Sequence, residues 1–126
     1  MEIFQTVSVK QILTETSREQ LLNHFMQTKQ QLEREIDQLA FQLKKKEKTN
    51  QTEEMRKQYQ REISKRMDKI KIADFQIQQI HTLPLGSEIK EKEMNAILEV
   101  HVGDRWDDLI KEKTIVIKDG IVVEIR

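Results

Sequence analysis

The chain has 126 residues, of which 37% belong to the AVILMFWYC set and 35% are charged. Average globular chains run at roughly 45–50% apolar and 25% charged, so one large core is excluded and the surplus charge must lie on surface. Lys plus Arg and Asp plus Glu stand at 22 each, which removes any global field towards nucleic acid or membrane.

There is no cysteine, so disulfides, thiolate metal sites and a cysteine nucleophile are excluded. That usage fits a reducing cytosol. The start Met1-Glu2-Ile3-Phe4-Gln5 has no basic-then-apolar leader. No apolar run approaches the roughly 20 residues of a membrane helix. The expectation is a cytoplasmic protein with no membrane contact.

Gly86, Gly103 and Gly120, together with the single proline, Pro84, all lie beyond residue 83. Gly and Pro are the strongest breakers of regular structure. Residues 1–83 therefore read as long uninterrupted elements, and 84–126 as short elements with turns. The first element is a strand over Ile3–Val9, a β-branched run in which Ile3, Val7 and Val9 share one parity. Thr16 with Glu19 then makes a capping box for a helix: the hydroxyl accepts a helix N–H and the carboxylate reaches back.

Along that helix Leu22, Phe25, Lys29, Leu32, Ile36, Leu39 and Leu43 step alternately by three and four. This is a heptad seam with Lys29 as its only polar interruption. An apolar seam implies a partner helix, and the sequence places that partner in the same chain. The apolar pattern stops after Leu43, then Lys44, Lys45, Lys46 and Lys48 suit a helix C-terminus, while Glu53 and Glu54 suit an N-terminus. Asn50 with Glu53 offers the second cap.

If the chain folds back near residue 51, positions whose numbers sum to about 102 face each other. The facing pairs are then Leu43–Tyr59, Leu39–Ile63, Ile36–Met67, Leu32–Ile70, Phe25–Ile77 and Leu22–Ile80, apolar on both sides. Lys29 meets the small residue Ala73. The apolar stripe also widens at Leu21, Leu22, Phe25 and Met26, and again from Ile70 to Ile80. A hairpin puts both wide regions at its base, where the β unit would pack. One unbroken helix of some 65 residues would run about 95 Å and strand the N-terminal β-strand alone, which is not stable. A swapped dimer with the same contacts between chains is the alternative.

Leu83-Pro84-Leu85-Gly86 ends the second helix. From Ile97 to Val102 the pattern alternates, with Leu98, Val100 and Val102 on one side and Glu99 and His101 on the other. Gly103-Asp104 turns the chain, and Asp104 with Asp107 is placed to cap a short helical turn through Trp106 and Leu109. Thr114–Lys118, Asp119-Gly120 and Ile121–Ile125 then read as a β-hairpin, since Asp-Gly supplies the two positive-φ positions of a type I′ turn. The predicted fold is α+β: a long antiparallel helical hairpin, a coiled coil, on a small, mainly antiparallel sheet or partial barrel of about four strands. The predicted organisation is an N-terminal strand at 3–13, a helical hairpin at 16–81 with its turn near 49–52, and a C-terminal β unit at 84–126.

Several of these segments resemble the YlqD family of bacterial proteins: Thr6-Val7-Ser8-Val9-Lys10-Gln11-Ile12-Leu13, Leu83-Pro84-Leu85-Gly86-Ser87-Glu88, Val102-Gly103-Asp104 and Lys118-Asp119-Gly120. The likeness runs through the whole chain in order. It implies a cytoplasmic protein of Gram-positive-type bacteria. It also implies a gene neighbourhood with a KH-type RNA-binding protein and ribosome-maturation factors, and it brings no functional residues.

The chemistry-bearing residues are few. His24 and His81 lie near the pairing sum, but zinc wants three or four ligands in close spacing and no such pattern includes them or His101. Asp104, Asp107 and Asp108 around Trp106 match no calcium loop, and a capped surface turn accounts for them. Trp106, the only tryptophan, either covers the edge of the small core or anchors a partner. No Gly-rich phosphate loop and no Gly-x-Ser-x-Gly elbow exists. The reading is a non-enzyme with no metal, no cofactor and no small-molecule substrate.

The basic stretch is the most informative feature. Residues 44–71 hold 11 Lys and Arg against 5 Asp and Glu, an excess of six charges balanced elsewhere in the chain. A neutral total thus conceals a polarised molecule. Lys44, Lys45, Lys46, Lys48, Arg56, Lys57 and Arg61 are the candidate contacts for RNA phosphates or a partner. A solvated coiled-coil exterior with i,i+4 pairs gives the same charge pattern. Two function classes follow. One is an interaction or scaffolding protein that docks a protein partner or a second copy. The other is an accessory factor for RNA or ribosomal particles.

Overall fold

The structure, a computed structural model, describes residues 1–49 and 52–126. Asn50, and with it the cap expected from Asn50 and Glu53, lies outside the described residues. In chain order the elements are β1 (Glu2–Ile12), α1 (Glu15–Glu47), α2 (Glu53–Thr82), β2 (Glu88–Glu99), α3 (Trp106–Leu109), β3 (Lys113–Lys118) and β4 (Ile121–Ile125). This is an α+β arrangement of two long helices and a four-stranded mixed sheet. The chain divides into two compact units, Met1–Ser17 with Pro84–Arg126, and Arg18–Leu83.

In the first unit the strand order is β2-β1-β3-β4. The β1–β2 and β3–β4 pairs are antiparallel, and β1–β3 is parallel. The sheet is open, so of the two forms the sequence allowed it takes the sheet and not the barrel. A parallel β1–β3 pair requires a crossover after β2, and residues 100–112 supply it. Gln5 fastens that crossover by donating from Nε2 to the carbonyls of Leu109 and Lys111 at 2.9 and 2.8 Å. Ser8 donates to Glu112 at 2.9 Å. The buried residues of this unit are Val7, Ser8, Val9, Leu13, Ser17 and Val116.

Of the two strands in the β1–β2 pair, β2 extends well beyond the sequence expectation. β1 continues past the β-branched run Ile3–Val9 to Ile12, paired with β2 from Glu2 to Ile12 and with β3 from Val7 to Gln11. β2 begins at Glu88, nine residues ahead of the expected Ile97. Its first half, Glu88-Ile-Lys-Glu-Lys-Glu-Met-Asn, has the composition of a solvated edge strand, where charges protect the open side. The alternation expected through Val102 ends at Val100, whose N–H meets the carbonyl of Met1 at 2.7 Å, and Val102 stands fully in solvent.

Two caps differ from expectation. At the start of α1 the reciprocal pair is Thr14 and Ser17: Ser17 N–H donates to Thr14 Oγ1 at 3.1 Å, and Thr14 N–H donates to Ser17 Oγ at 2.8 Å. Serine, unlike the Gln or Glu of the usual box, is short enough to do this while fully buried. The helix therefore begins two residues ahead of the Thr16–Glu19 box. Asp104 does not cap α3. Its Oδ2 accepts from the N–H of His101 at 2.8 Å and closes the preceding turn, and Arg105 occupies the cap position without a side-chain bond. The Asp119-Gly120 turn is as read, with φ of 48° and 81°.

In the second unit α1 and α2 are antiparallel partners, each about 45–50 Å long at ~1.5 Å per residue. Glu47 meets Arg56 at 3.8 Å, Glu35 meets Arg66 at 3.3 Å, and Lys29 meets Asp74 at 2.8 Å. The position numbers of these pairs all sum close to the expected value, so the helices are in the register read from the seam. Leu32, Ala73 and Ile80 are buried, while Leu22, Phe25, Ile36, Leu39, Leu43, Tyr59, Ile63, Ile70 and Ile77 are half-buried. Met67 alone among the paired apolar residues stays exposed. A two-helix layer has solvent on both flanks of its seam, so few positions can close completely. Where the two strands of the hairpin part, the Arg18 guanidinium donates to the carbonyl of Leu83, one of the orphan acceptors at the end of α2.

Candidate interaction site at the α1–α2 junction

The last turn of α1 is basic and the first turn of α2 acidic, each complementing the local helix dipole. Thr52 caps α2, its hydroxyl accepting from Met55 N–H at 3.4 Å. These local preferences end one helix and start the next within a few residues. As a consequence, Lys44, Lys45 and Lys46 on α1, and Lys48 just after it, come beside Arg56, Lys57 and Arg61 on α2. Two contacts fix that juxtaposition: Arg56 Nε stands 3.8 Å from Glu47 Oε1, and Lys46 Nζ lies 4.9 Å from the centroid of the Tyr59 ring.

Lys44, Lys45, Lys48, Arg56, Lys57 and Arg61 are exposed and Lys46 is half-buried. Among the described residues, Arg56 is the only one of these seven with a carboxylate within ion-pair distance. The neighbouring Glu53 and Glu54 lie in the first turn of α2. Further down α2 the pattern changes. Lys65 and Arg66 both engage Glu62, at 3.4 and 2.9 Å, and Arg66 also engages Glu35. Hydrogen bonds from Arg66 and Lys65 hold the Glu62 carboxyl below its usual range, and the Glu62 bond raises Arg66. The basic stretch of the sequence thus has a paired part around 62–66, with cations that have no ion-pair partner among the described residues both at the helix ends and at Lys69 and Lys71 further along α2.

Phe41 belongs to this end although it precedes the lysine run. It is 60% exposed, and Lys45 Nζ sits 5.3 Å from its ring centroid. With Lys44, Lys45, Glu47 and Lys48 it lines an open hollow of about 380 Å³. The signal for it was the i,i+4 spacing of Phe41 and Lys45, which lies across the boundary of the charge-rich segment.

The other sequence candidates fall elsewhere and do not converge. His24 borders a groove with Gln27, Gln31 and Lys69, whereas His81 borders another with Lys29, Asp74 and Ile77. His101 has Glu99 at 3.3 Å. Asp108 pairs with Lys111 at 3.4 Å, and Asp104 is occupied by the His101 turn. Among the described residues, no group of three or more His, Asp or Glu is assembled as a metal site. Trp106 is 58% exposed, so it does not close the sheet core. No helix among the described residues is long and apolar enough to cross a membrane.

The model of the YlqD family, described as YlqD protein, matches residues 1–126. The chain belongs to the YlqD family. A curated relative, the uncharacterised protein YlqD of Bacillus subtilis (strain 168), is 56% identical over 126 residues, covering 100% of this chain and 98% of that one. Among solved structures, a protein of unknown function from Synechococcus sp. WH 8102 superposes with a TM-score of 0.82 at 17% identity, covering 100% of this chain and 96% of that one. At that identity the likeness concerns the fold alone. Nothing in these comparisons points to a catalytic activity.

Proposed function

We propose that this YlqD-family protein is a non-catalytic interaction protein of the cytoplasm whose helical hairpin, packed as a coiled coil, is the docking element. The supporting observation is the separation of charge along the hairpin. Ion pairs bridge the helices at Lys29–Asp74 and Glu35–Arg66, while Lys44, Lys45, Lys46, Lys48, Lys57 and Arg61 are left without carboxylate partners among the described residues. Lys69 and Lys71 further along α2 also have no such partner, so what supports the reading is the clustering of six such cations at one end of the hairpin. Trp106 is a second candidate anchor, for a protein partner or a second copy, because large exposed aromatics are favoured at binding surfaces.

The unpaired cations favour one reading within this class, an accessory factor that contacts RNA or a ribosomal particle through the junction of α1 and α2. Binding of that kind releases counterions and weakens steeply with salt. The test is co-sedimentation of the purified protein with ribosomal particles at low and high salt, beside a variant with Lys44, Lys45, Lys46 and Lys48 all changed to Gln. Binding lost with salt and with the quadruple change is the expected result. Salt-insensitive binding that the quadruple change leaves intact would move the function to apolar contacts such as Trp106.

A further inference from the structure

The basic junction has cations without the other half of a single-strand site. Proteins that hold single-stranded nucleic acid combine a positive groove with aromatic platforms on which successive bases stack. Among the described residues, two aromatic rings are seen against these seven cations, Phe41 and Tyr59. Each is faced by a lysine ammonium, Lys45 at 5.3 Å and Lys46 at 4.9 Å, and Tyr59 is half-buried between the helices. Phe41, 60% exposed, can stack at most a single base, and two rings on different helices make no continuous stack for successive bases.

What remains is a set of point charges held in fixed relation by two helices. Lys44, Lys45 and Lys48 follow the last turns of α1, and Lys57 and Arg61, at i,i+4 spacing on α2, share one helix face. Such an array matches phosphates whose spacing is also fixed. It has few side-chain groups able to read bases. Phosphate contacts position a protein on a duplex without conveying sequence.

We infer that the α1–α2 junction binds the phosphodiester backbone of double-stranded nucleic acid, without regard to base sequence and in preference to single strands. This rests on the RNA reading of the preceding section and narrows it. A protein partner with an acidic surface is the competing occupant. The observation against it is the clustering of cations of which Arg56 alone has a carboxylate at ion-pair distance among the described residues, a charge density matched by the phosphates of a duplex better than by a sparse set of carboxylates.

The experiment measures binding of the full chain to 24-base-pair RNA and DNA duplexes, to single strands of the same length, and to poly-glutamate. Duplex binding is expected to exceed single-strand binding by at least about tenfold at 50 mM salt. With about five phosphates contacted, it should fall by between 10² and 10³ on going to 200 mM. The Lys44, Lys45, Lys46 and Lys48 to Gln variant should lower the salt slope by about three to four. Lys57→Gln with Arg61→Gln should weaken binding independently, and circular dichroism checks that both variants keep their helices. Phe41→Ala should change duplex affinity less than about threefold. RNA and DNA duplexes binding alike, or RNA alone binding, separates pure phosphate recognition from recognition that includes the 2′-hydroxyl; either fits the inference. Single strands binding as well as duplexes, or a tenfold loss with Phe41→Ala, overturns it while leaving the RNA reading standing. No nucleic-acid binding at low salt, or binding to poly-glutamate alone, overturns both.

Discussion

Lys29 Nζ and Asp74 Oδ1 meet 2.8 Å apart across the helical hairpin, and the contact occurs at the one polar position of an otherwise apolar seam. The hydrogen bond and charge of Asp74 raise the Lys29 pKa above its ordinary value. The pair is on the flank of the helix layer, so solvent screens it and its net contribution to stability is small. Its physical role is register. An ammonium in a leucine seam is tolerated only where a small residue and a carboxylate lie opposite, and Ala73 with Asp74 provide both. Reversing one charge, Lys29→Asp or Asp74→Lys, is expected to lower the melting temperature, and the double reversal to recover most of the loss. Thermal melts of the four proteins form the double-mutant cycle; strictly additive losses would show that the pair does not couple the helices.

Lys29→Leu tests the same position from the other side. Continuing the seam adds apolar burial against Ala73 and removes the feature that restricts pairing. Melting is expected to rise by about 2–5 °C, accompanied by greater self-association on sedimentation. A more stable protein that remained strictly monomeric would assign Lys29 no part in specificity.

The helix periodicity made this hairpin legible from the sequence, because the seam is a repeated signal whose parity survives errors of a residue. The Asp119-Gly120 turn was legible for a different reason, since its positive φ values narrow the choice of residues. The front half of β2 was not. Apart from half-buried Ile89, Glu88 to Asn95 is exposed on both faces, so it has no apolar alternation to read, and only its ladder with β1 makes it a strand. The start of α1 was misread because Thr14–Ser17 and Thr16–Glu19 both satisfy cap chemistry locally, and burial of Ser17 decides between them. At the candidate site the cations were visible as composition. Which of them are paired depends on the carboxylate that the facing helix brings, as Glu35 does for Arg66, and that is a property of three-dimensional register.

The α1 cap has a direct test. Thr14→Ala removes the acceptor for the Ser17 N–H and also the hydroxyl that donates to Asp119 Oδ1 at 2.7 Å. A loss of about 1–2 kcal/mol in denaturant unfolding is expected. Thr16→Ala, at an exposed position inside the first turn, should stay within about 0.5 kcal/mol of the parent. The opposite ranking would restore Thr16 as the cap.

The pH dependence of the hairpin follows from Glu62. Its folded pKa lies below the ordinary 4.5 because Arg66 and Lys65 donate to the carboxylate. A carboxyl depressed in the folded state binds fewer protons there than in the unfolded chain. Its contribution is therefore fully present above the unfolded pKa and is lost as pH falls through the folded value. The expected effect is a modest fall in helix melting temperature between about pH 5 and pH 3, smaller in Glu62→Gln. Equal acid sensitivity in parent and variant would place the effect on other carboxylates.

The short Lys29–Asp74 contact also distinguishes an intrachain hairpin from helices exchanged between two chains. A carbodiimide converts an amine and a carboxylate in direct contact into an amide with no spacer, so it reports contacts of this length and little else. Treated protein, digested and mass-analysed, is expected to yield a Lys29–Asp74 linked peptide. Mixing equal amounts of ¹⁴N and ¹⁵N protein under refolding conditions before treatment separates the two arrangements. In an intrachain hairpin every linked peptide carries a single isotope, because both residues come from the same chain. With exchanged helices about half of the linked peptides would carry both isotopes, and the seam that pairs Leu32 with Ile70 in one chain would then be an interface between two.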